Sequence, residues 1–307
     1  MGARILARRQ TFDWIRLEHR AVFVIDMATQ AKPTPSPAPK SRAVASRPSV
    51  TRPDIATFGG LILALGGILG GLLMEGGKLR DISQLTAAVI VLGGTCGAVM
   101  VSTPMYVLIG AAHRLVHVFL DKTESPEAVI DELIGYAAAA RRNGLISLEG
   151  DALKVRDPFL RKTLNLAVDG TDLQEIRSMM ELEIELSENR AYAEARVFES
   201  GGGYSPTIGI IGAVLGLIQV MKNLANIEEV GHGIAVAFVA TVYGVGLANL
   251  VLLPAATKIK ARIESETALK ELMLEGVFAI VEGMNSQLIR GRLEAYQRIK
   301  PDRAPPR

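Results

Sequence analysis

Four stretches of this 307-residue sequence run for about a bilayer's thickness without a single Asp, Glu, Lys or Arg: Ile55 to Met74, Leu85 to Pro104, Ser205 to Met221 and Gly233 to Pro254. A hydrocarbon core takes about 20 residues of helix to cross. Lipid offers no partner to backbone N–H and C=O groups, so a spanning segment pairs them within itself. The sequence therefore predicts an all-α membrane protein with four transmembrane helices. The polar loop from Glu75 to Gln84 is short enough to force the first two into an antiparallel hairpin, and Lys222 to His232 joins the last two. Composition agrees: mean hydropathy is +0.27 and 30 glycines suit close-packed membrane helices. A net charge of +2 argues against a nucleic-acid partner, and the lone Cys96 has no second cysteine in the chain to pair with.

Orientation follows from the basic residues. The two short loops hold Lys78, Arg80 and Lys222, and the remainder of the 34 Lys and Arg lie in the head, the middle region and the tail. These three parts are expected in the cytoplasm with both termini, in a bacterial inner membrane. The expected divisions are a basic, Pro-rich extension over 1–53, a transmembrane hairpin over 54–104, a helical cytoplasmic domain over 105–203, the third and fourth spans over 204–256 and a cytoplasmic C-terminal helix and tail over 257–307. Proline alternates with small residues from Lys32 to Lys40, as in a disordered linker. Arg16, Glu18, His19 and Arg20 interrupt any signal-peptide core, and Met27 is an alternative start; a basic arm resting on acidic headgroups is the other reading. Ser125-Pro126-Glu127 reads as a helix start, and Val168 to Asp172 as a break followed by a new cap. A long helix is expected from Leu173 toward Phe198, with Gly201-Gly202-Gly203 breaking it before the membrane. The tail is helix-patterned, with Gly276 and Gly283 as weak points.

A conductor of ions needs a titratable or ligating group at membrane depth, and these spans carry no charge. Either the chain is a passive scaffold or a partner helix supplies the carboxylate while this chain supplies the wall. Small residues recur four apart at Gly67 and Gly71, Gly93 and Gly97, Gly212 and Gly216, and Ala240, Gly244 and Ala248, which lets backbones approach closely. Thr207, Thr241 and Tyr243 bring hydroxyls, which bond to their own helix or touch ions and water. Pro206 is expected to open the third span and Pro254 to close the fourth, at the same membrane face.

Several segments resemble one family in its order along the chain: Thr86 to Val99, Arg142 to Glu149, Val168 to Asp172, Ala213 to Met221 and Gly233 to Leu250. They are similar to the MotA family of flagellar stator subunits, from about Asp54 to Tyr296. The resemblance implies a pentameric ring around a dimer of a MotB-like single-span protein, whose aspartate binds the permeating ion. It implies that ion flow turns this ring against the rotor protein FliG, driving motility, with no cofactor and no enzymatic step. Pro206 and Pro254 match the family's two prolines for conformational coupling. Arg141 and Glu149 match its charged rotor-interface pair, with Arg142 an alternative to Arg141. Thr241 matches a threonine near the ion path, alongside Thr207 and Tyr243. Ala213 stands where sodium-driven relatives carry threonine, so the implied ion is the proton.

The related ExbB and TolQ subunits, which energise outer-membrane processes, have one span before their cytoplasmic domain, whereas two precede it here. A stand-alone solute transporter would need internal repeats and a polar site at mid-membrane, and neither is evident. No nucleophile–base set, metal cluster or phosphate loop supports an enzyme.

Overall fold

The computed structural model describes residues 52–53, 55–121 and 125–299; the expectations for the rest of the N-terminal extension, Met27 included, lie outside them. Helix dominates. α1 (Ile55–Met74) and α2 (Leu85–Ser102) are joined through a turn at Gly76, whose φ of +83° only glycine adopts readily, and a 3-10 turn at Leu79–Ile82. A break at Thr103-Pro104 leads into α3 (Met105–Phe119), and Arg52–Pro53 pairs antiparallel with Leu120–Asp121. The soluble elements follow: α4 (Pro126–Asn143), a 3-10 turn at Leu145–Leu148, α5 (Glu149–Ala152) and α6 (Pro158–Val168). Then come α7 (Leu173–Lys222), α8 (Ile227–Val281) and α9 (Ser286–Ile299).

The starts of these helices are written in local chemistry. Ser125 accepts the Ala128 N–H at 3.2 Å with Pro126 in the first turn, where no donor is missed. Asp157 does the same for α6, accepting from Leu160 at 2.9 Å ahead of Pro158, and Asp172 accepts from Gln174 at 2.8 Å to start α7. The turn between α6 and α7 closes at Gly170, where Thr171 donates back to Leu166 and Gly170 to Ala167.

Three helices, α2, α7 and α8, are long and apolar enough to cross a membrane, and α1 is 20 apolar-rich residues long. At 50 residues α7 is about 75 Å long, more than twice the hydrocarbon thickness. Its charged residues stop at Glu199 and resume at Lys222, while α8 is charge-free from Val230 to Thr257. Each helix is therefore half apolar rod and half soluble scaffold. Around the soluble halves, Leu133, Leu164, Ile176, Met180, Val277 and Leu293 belong to one core drawn from α4, α6, α7, α8 and α9. A second core of Ala111, Ala195, Phe198, Ala256 and Ile259 joins α3 to α7 and α8 nearer the apolar halves.

Five sequence expectations are corrected. α7 does not break at Gly201-Gly202-Gly203; it runs through them and through Pro206. Gly201 and Gly202 are buried where a Cβ would press on Leu252 and Leu253 of α8, so these glycines serve close packing, which outweighs their weak helix propensity. Pro206 accordingly lies inside a helix. Pro254 likewise does not close α8, which continues to Val281; a π turn at Leu247–Leu252 directly precedes it, a wider turn of the kind that accompanies irregularities in long helices. Gly276 is not a weak point but a buried contact, its Cβ position lying 2.5 Å from Leu133 Cδ1. α2 ends at Ser102, two residues before Pro104. Gly283, expected only as a weak point, follows the end of α8 at φ +71°, with Met284 donating to Ala279 and Gly283 to Ile280.

α7 and α8 are antiparallel and meet backbone to backbone. An added Cβ on Gly209 would lie 2.9 Å from the Ala240 carbonyl, on Gly216 2.7 Å from the Gly233 carbonyl, and on Gly244 2.7 Å from the Ser205 carbonyl. Of the expected small-residue stripes, Gly212, Gly216, Ala240 and Gly244 thus serve this crossing, whereas Gly67, Gly71, Gly93 and Gly97 meet nothing within 4 Å in this chain. Gly216→Ala should destabilise the protein by about 1–3 kcal/mol, because backbone cannot swing aside as a side chain can. Gly231→Ala, with open space around it, should leave stability unchanged. Thermal melts of the two detergent-purified variants check the contrast, and equal melting would refute the backbone contact.

Candidate functional site

The two prolines stand on either side of the α7–α8 contact. Gly202, one turn before Pro206, would meet Leu253 Cδ2 at 2.5 Å if it carried a Cβ, and Leu253 adjoins Pro254. Between them Ser205, fully buried, donates its hydroxyl across the helices to the Gly244 carbonyl at 2.9 Å. A proline without an N–H leaves the carbonyl one turn back without its usual donor. Pro206 therefore weakens α7 beside its tightest contact with α8, and Pro254 weakens α8 at its entry into the soluble half.

The hydroxyls assigned to the ion path are accounted for separately. Thr241 donates to the Ala237 carbonyl at 3.2 Å and Thr207 to the Tyr204 carbonyl at 2.7 Å, each within its own helix. Tyr243 reaches further: its hydroxyl donates to the Ile82 carbonyl at 2.5 Å and accepts the Gln84 N–H at 3.4 Å, tying the loop between α1 and α2 to α8. Ala213 is half-buried on α7 beside Gly212. Sequence reasoning missed Ser205, since a lone serine next to a proline carries no spacing signal. It also missed Thr95 of α2, which is 4% exposed and whose Oγ1 has no hydrogen-bond partner.

Beneath the apolar halves, ion pairs clamp three helices together. Arg114 of α3 binds Glu194 of α7 at 2.5 Å and Glu266 of α8 at 3.5 Å, and Lys260 of α8 binds Glu199 of α7 at 2.5 Å. Gly110, one turn before Arg114, leaves the room that the Glu194 carboxylate occupies. The Arg114–Glu194 partners lie 80 residues apart, so no local pattern announces them.

The charged residues assigned to the rotor lie at the other end of the soluble domain. Arg141 and Arg142 are exposed in the last turn of α4, where cations suit the helix C-terminus. Glu149 is exposed at the start of α5, beyond the turn at Gly144, whose φ is +83°. Arg142 Nε donates to the Ala138 carbonyl at 3.1 Å, while the side chains of Arg141 and Glu149 form no ion pair among the described residues. Tyr136 holds Glu132 of the same helix at 2.6 Å; burial, then Glu132, pushes its phenol far above the usual range, so it remains a donor. α4 rests on α8 through Leu133 and Gly276, so the helix that bears Pro254 also supports the helix that bears Arg141.

Long apolar rods, continuous with a helical domain that displays exposed charge, define a membrane-embedded helical subunit. Residues 58–142 match the Motility protein A N-terminal model and residues 151–272 the MotA/TolQ/ExbB proton channel family model. The chain belongs to the MotA/TolQ/ExbB proton channel family, a family of channel subunits and not of enzymes. It is 36% identical to Motility protein A of Bacillus subtilis over 247 residues, which is 79% of this chain and 90% of the relative. Its fold matches a structure of C. jejuni MotAB with a TM-score of 0.76 at 30% identity, covering 82% of this chain and 98% of that one. The flagellar MotAB stator complex of Bacillus subtilis gives 0.73 at 34% identity, covering 79% and 97%.

Tyr243→Phe should lower stability by about 1 kcal/mol by stripping the Ile82 and Gln84 contacts, and Ser205→Ala by a similar amount. Melting of the detergent-purified variants measures both; an unchanged Tyr243→Phe midpoint would show that the loop holds without the tyrosine.

Proposed function

We propose that this chain is the ring-forming subunit of a flagellar stator, which with a MotB-like partner conducts ions through a bacterial inner membrane and converts their flow into torque on FliG. The observation that carries this is the continuity of α7 and α8: one pair of helices forms the uncharged apolar wall and the scaffold that supports the exposed Arg141 and Glu149. On this reading α1, α2 and the apolar halves of α7 and α8 are four spans, the soluble halves and both termini are cytoplasmic, and lipid surrounds the outer helices. The divisions at residues 54, 105, 204 and 257 mark where the chain enters and leaves the membrane, although the last two fall inside single helices.

An uncharged wall fits a partner that brings the carboxylate, since an ion held at membrane depth needs one. A pentamer around a dimer would place Thr241, Thr207, Ala213 and Tyr243 toward or beside that partner. Pro206 and Pro254 act as the coupling elements: each leaves a backbone carbonyl short of a donor at the end of the apolar stretch, where a bend transmits movement of the wall to the soluble half. Arg141, or its neighbour Arg142, and Glu149 then push on charged groups of the rotor. Sodium exchanges its water shell for several oxygen ligands, and alanine at 213 offers none, which supports protons.

Expressed with its partner in a motile strain lacking its own stator, the wild-type pair should restore swimming. Pro206→Leu and Pro254→Leu should each abolish it with membrane levels unchanged, and normal swimming by either would count heavily against coupling through the prolines. Swimming should persist in sodium-depleted medium and fail when the proton gradient is collapsed; loss of swimming on sodium removal would overturn the proton assignment.

A further inference from the structure

The knob that follows α4 turns two large aliphatic side chains to water. Through the 3-10 turn at Leu145–Leu148 and on through α5, burial repeats with helical spacing: Leu148, Ala152 and Val155 are buried, and Ile146, Glu149, Gly150 and Leu153 are exposed on the opposite face. Ile146 is 75% exposed and Leu153 73%. Burying such side chains is favourable by about 25 cal/mol per Å², and the fold leaves both unburied. Gly150 between them meets nothing within 4 Å of its Cβ position. The strip thus has two aliphatic ends, an open middle and a carboxylate, Glu149, alongside. Of the charges beside it, Arg141, Arg142 and Glu149 are in no described ion pair, whereas Asp151 and Lys154 offset each other at 3.0 Å.

We infer that Ile146 and Leu153 are apolar anchors of the rotor contact, clasping an aliphatic side chain of a partner helix over Gly150 while acidic groups of that helix meet Arg141 and Arg142. The inference rests on the stator reading and deepens it: the charges orient the partner and the aliphatic pair holds it. Small apolar centres ringed by charge are how interfaces combine affinity with register. The two exposed arginines at one end of the strip decide the occupant, because a helix with acidic groups complements them whereas a second copy would set its own arginines against them. A lipid surface is out of reach, since Ile176, which shares the core with Leu148, lies 24 residues before Ser200 on α7, about 36 Å from the start of the charge-free stretch.

The test uses the whole stator complex, purified in detergent, binding to purified rotor protein at low and high ionic strength. The double variant Ile146→Ser with Leu153→Ser should bind about tenfold more weakly, about 1.4 kcal/mol, at both salt concentrations. Arg141→Glu should lose affinity mainly at low salt, where the charge contact is unscreened. Gly150→Phe keeps every charge and both aliphatics but fills the middle of the strip, and it too should weaken binding. Wild-type affinity of the serine double variant would overturn the anchors and leave the stator reading intact, whereas a wild-type complex that neither binds rotor protein nor restores swimming would overturn both. A change in the mass of the complex on serine substitution would assign the strip to contact between copies, which also overturns the proposal.

Discussion

The backbone contact between α7 and α8 is the constraint from which the other features follow. Helices in lipid gain little from excluding water, so they associate by packing closely and by hydrogen bonds across the interface. Gly209, Gly212, Gly216, Gly233 and Gly244 bring the two axes close, and Ser205 bonds to the Gly244 carbonyl across the gap. α2 then packs on the pair: a Cβ on Gly94 would meet Ile208 and one on Gly212 would meet Ile90. A side chain larger than hydrogen at these positions would meet backbone or the neighbouring helix.

Both helices run on from the apolar stretch into the charged half without a break. Pro206 and Pro254 lie near the end of the apolar stretch, and just below it Arg114 pairs with Glu194 and Glu266, and Lys260 with Glu199. Arg114, shared between Glu194 and Glu266, links α3 to both long helices, which counts for more than an isolated surface pair. Farther out, α4, α6 and α9 gather around the soluble halves in a conventional apolar core. That core holds the knob bearing Glu149 and the end of α4 bearing Arg141.

Much of this was legible in residue order. The bounds of α1, the caps at Ser125 and Asp172 and the end of α8 at Gly283 each rest on a local signal: an apolar run, an oxygen before a first turn, a glycine at positive φ. The misreadings share one cause. Gly201-Gly202-Gly203, Pro206, Pro254 and Gly276 are weak helix formers taken as boundaries, yet each sits within a helix that tertiary contact holds together. A glycine that breaks a helix and one that admits a neighbour are identical in the sequence. α3 with its Arg114 clamp, and Ser205, were missed because their partners are distant in the chain.

The sequence by itself determined where the long uncharged apolar runs lie and that helix suits them, because a chain in lipid must pair its backbone groups within itself. It also determined the starts of α1, α2, α4 and α7, since an apolar run or a cap is settled within a few residues. Only the tertiary structure decided that the apolar and soluble segments are single rods, which glycines face backbone and which face open space, and that Ile146 and Leu153 are left outside the core. Those outcomes depend on what lies across the contact, and a residue's neighbours in space are fixed by packing between elements far apart in the chain.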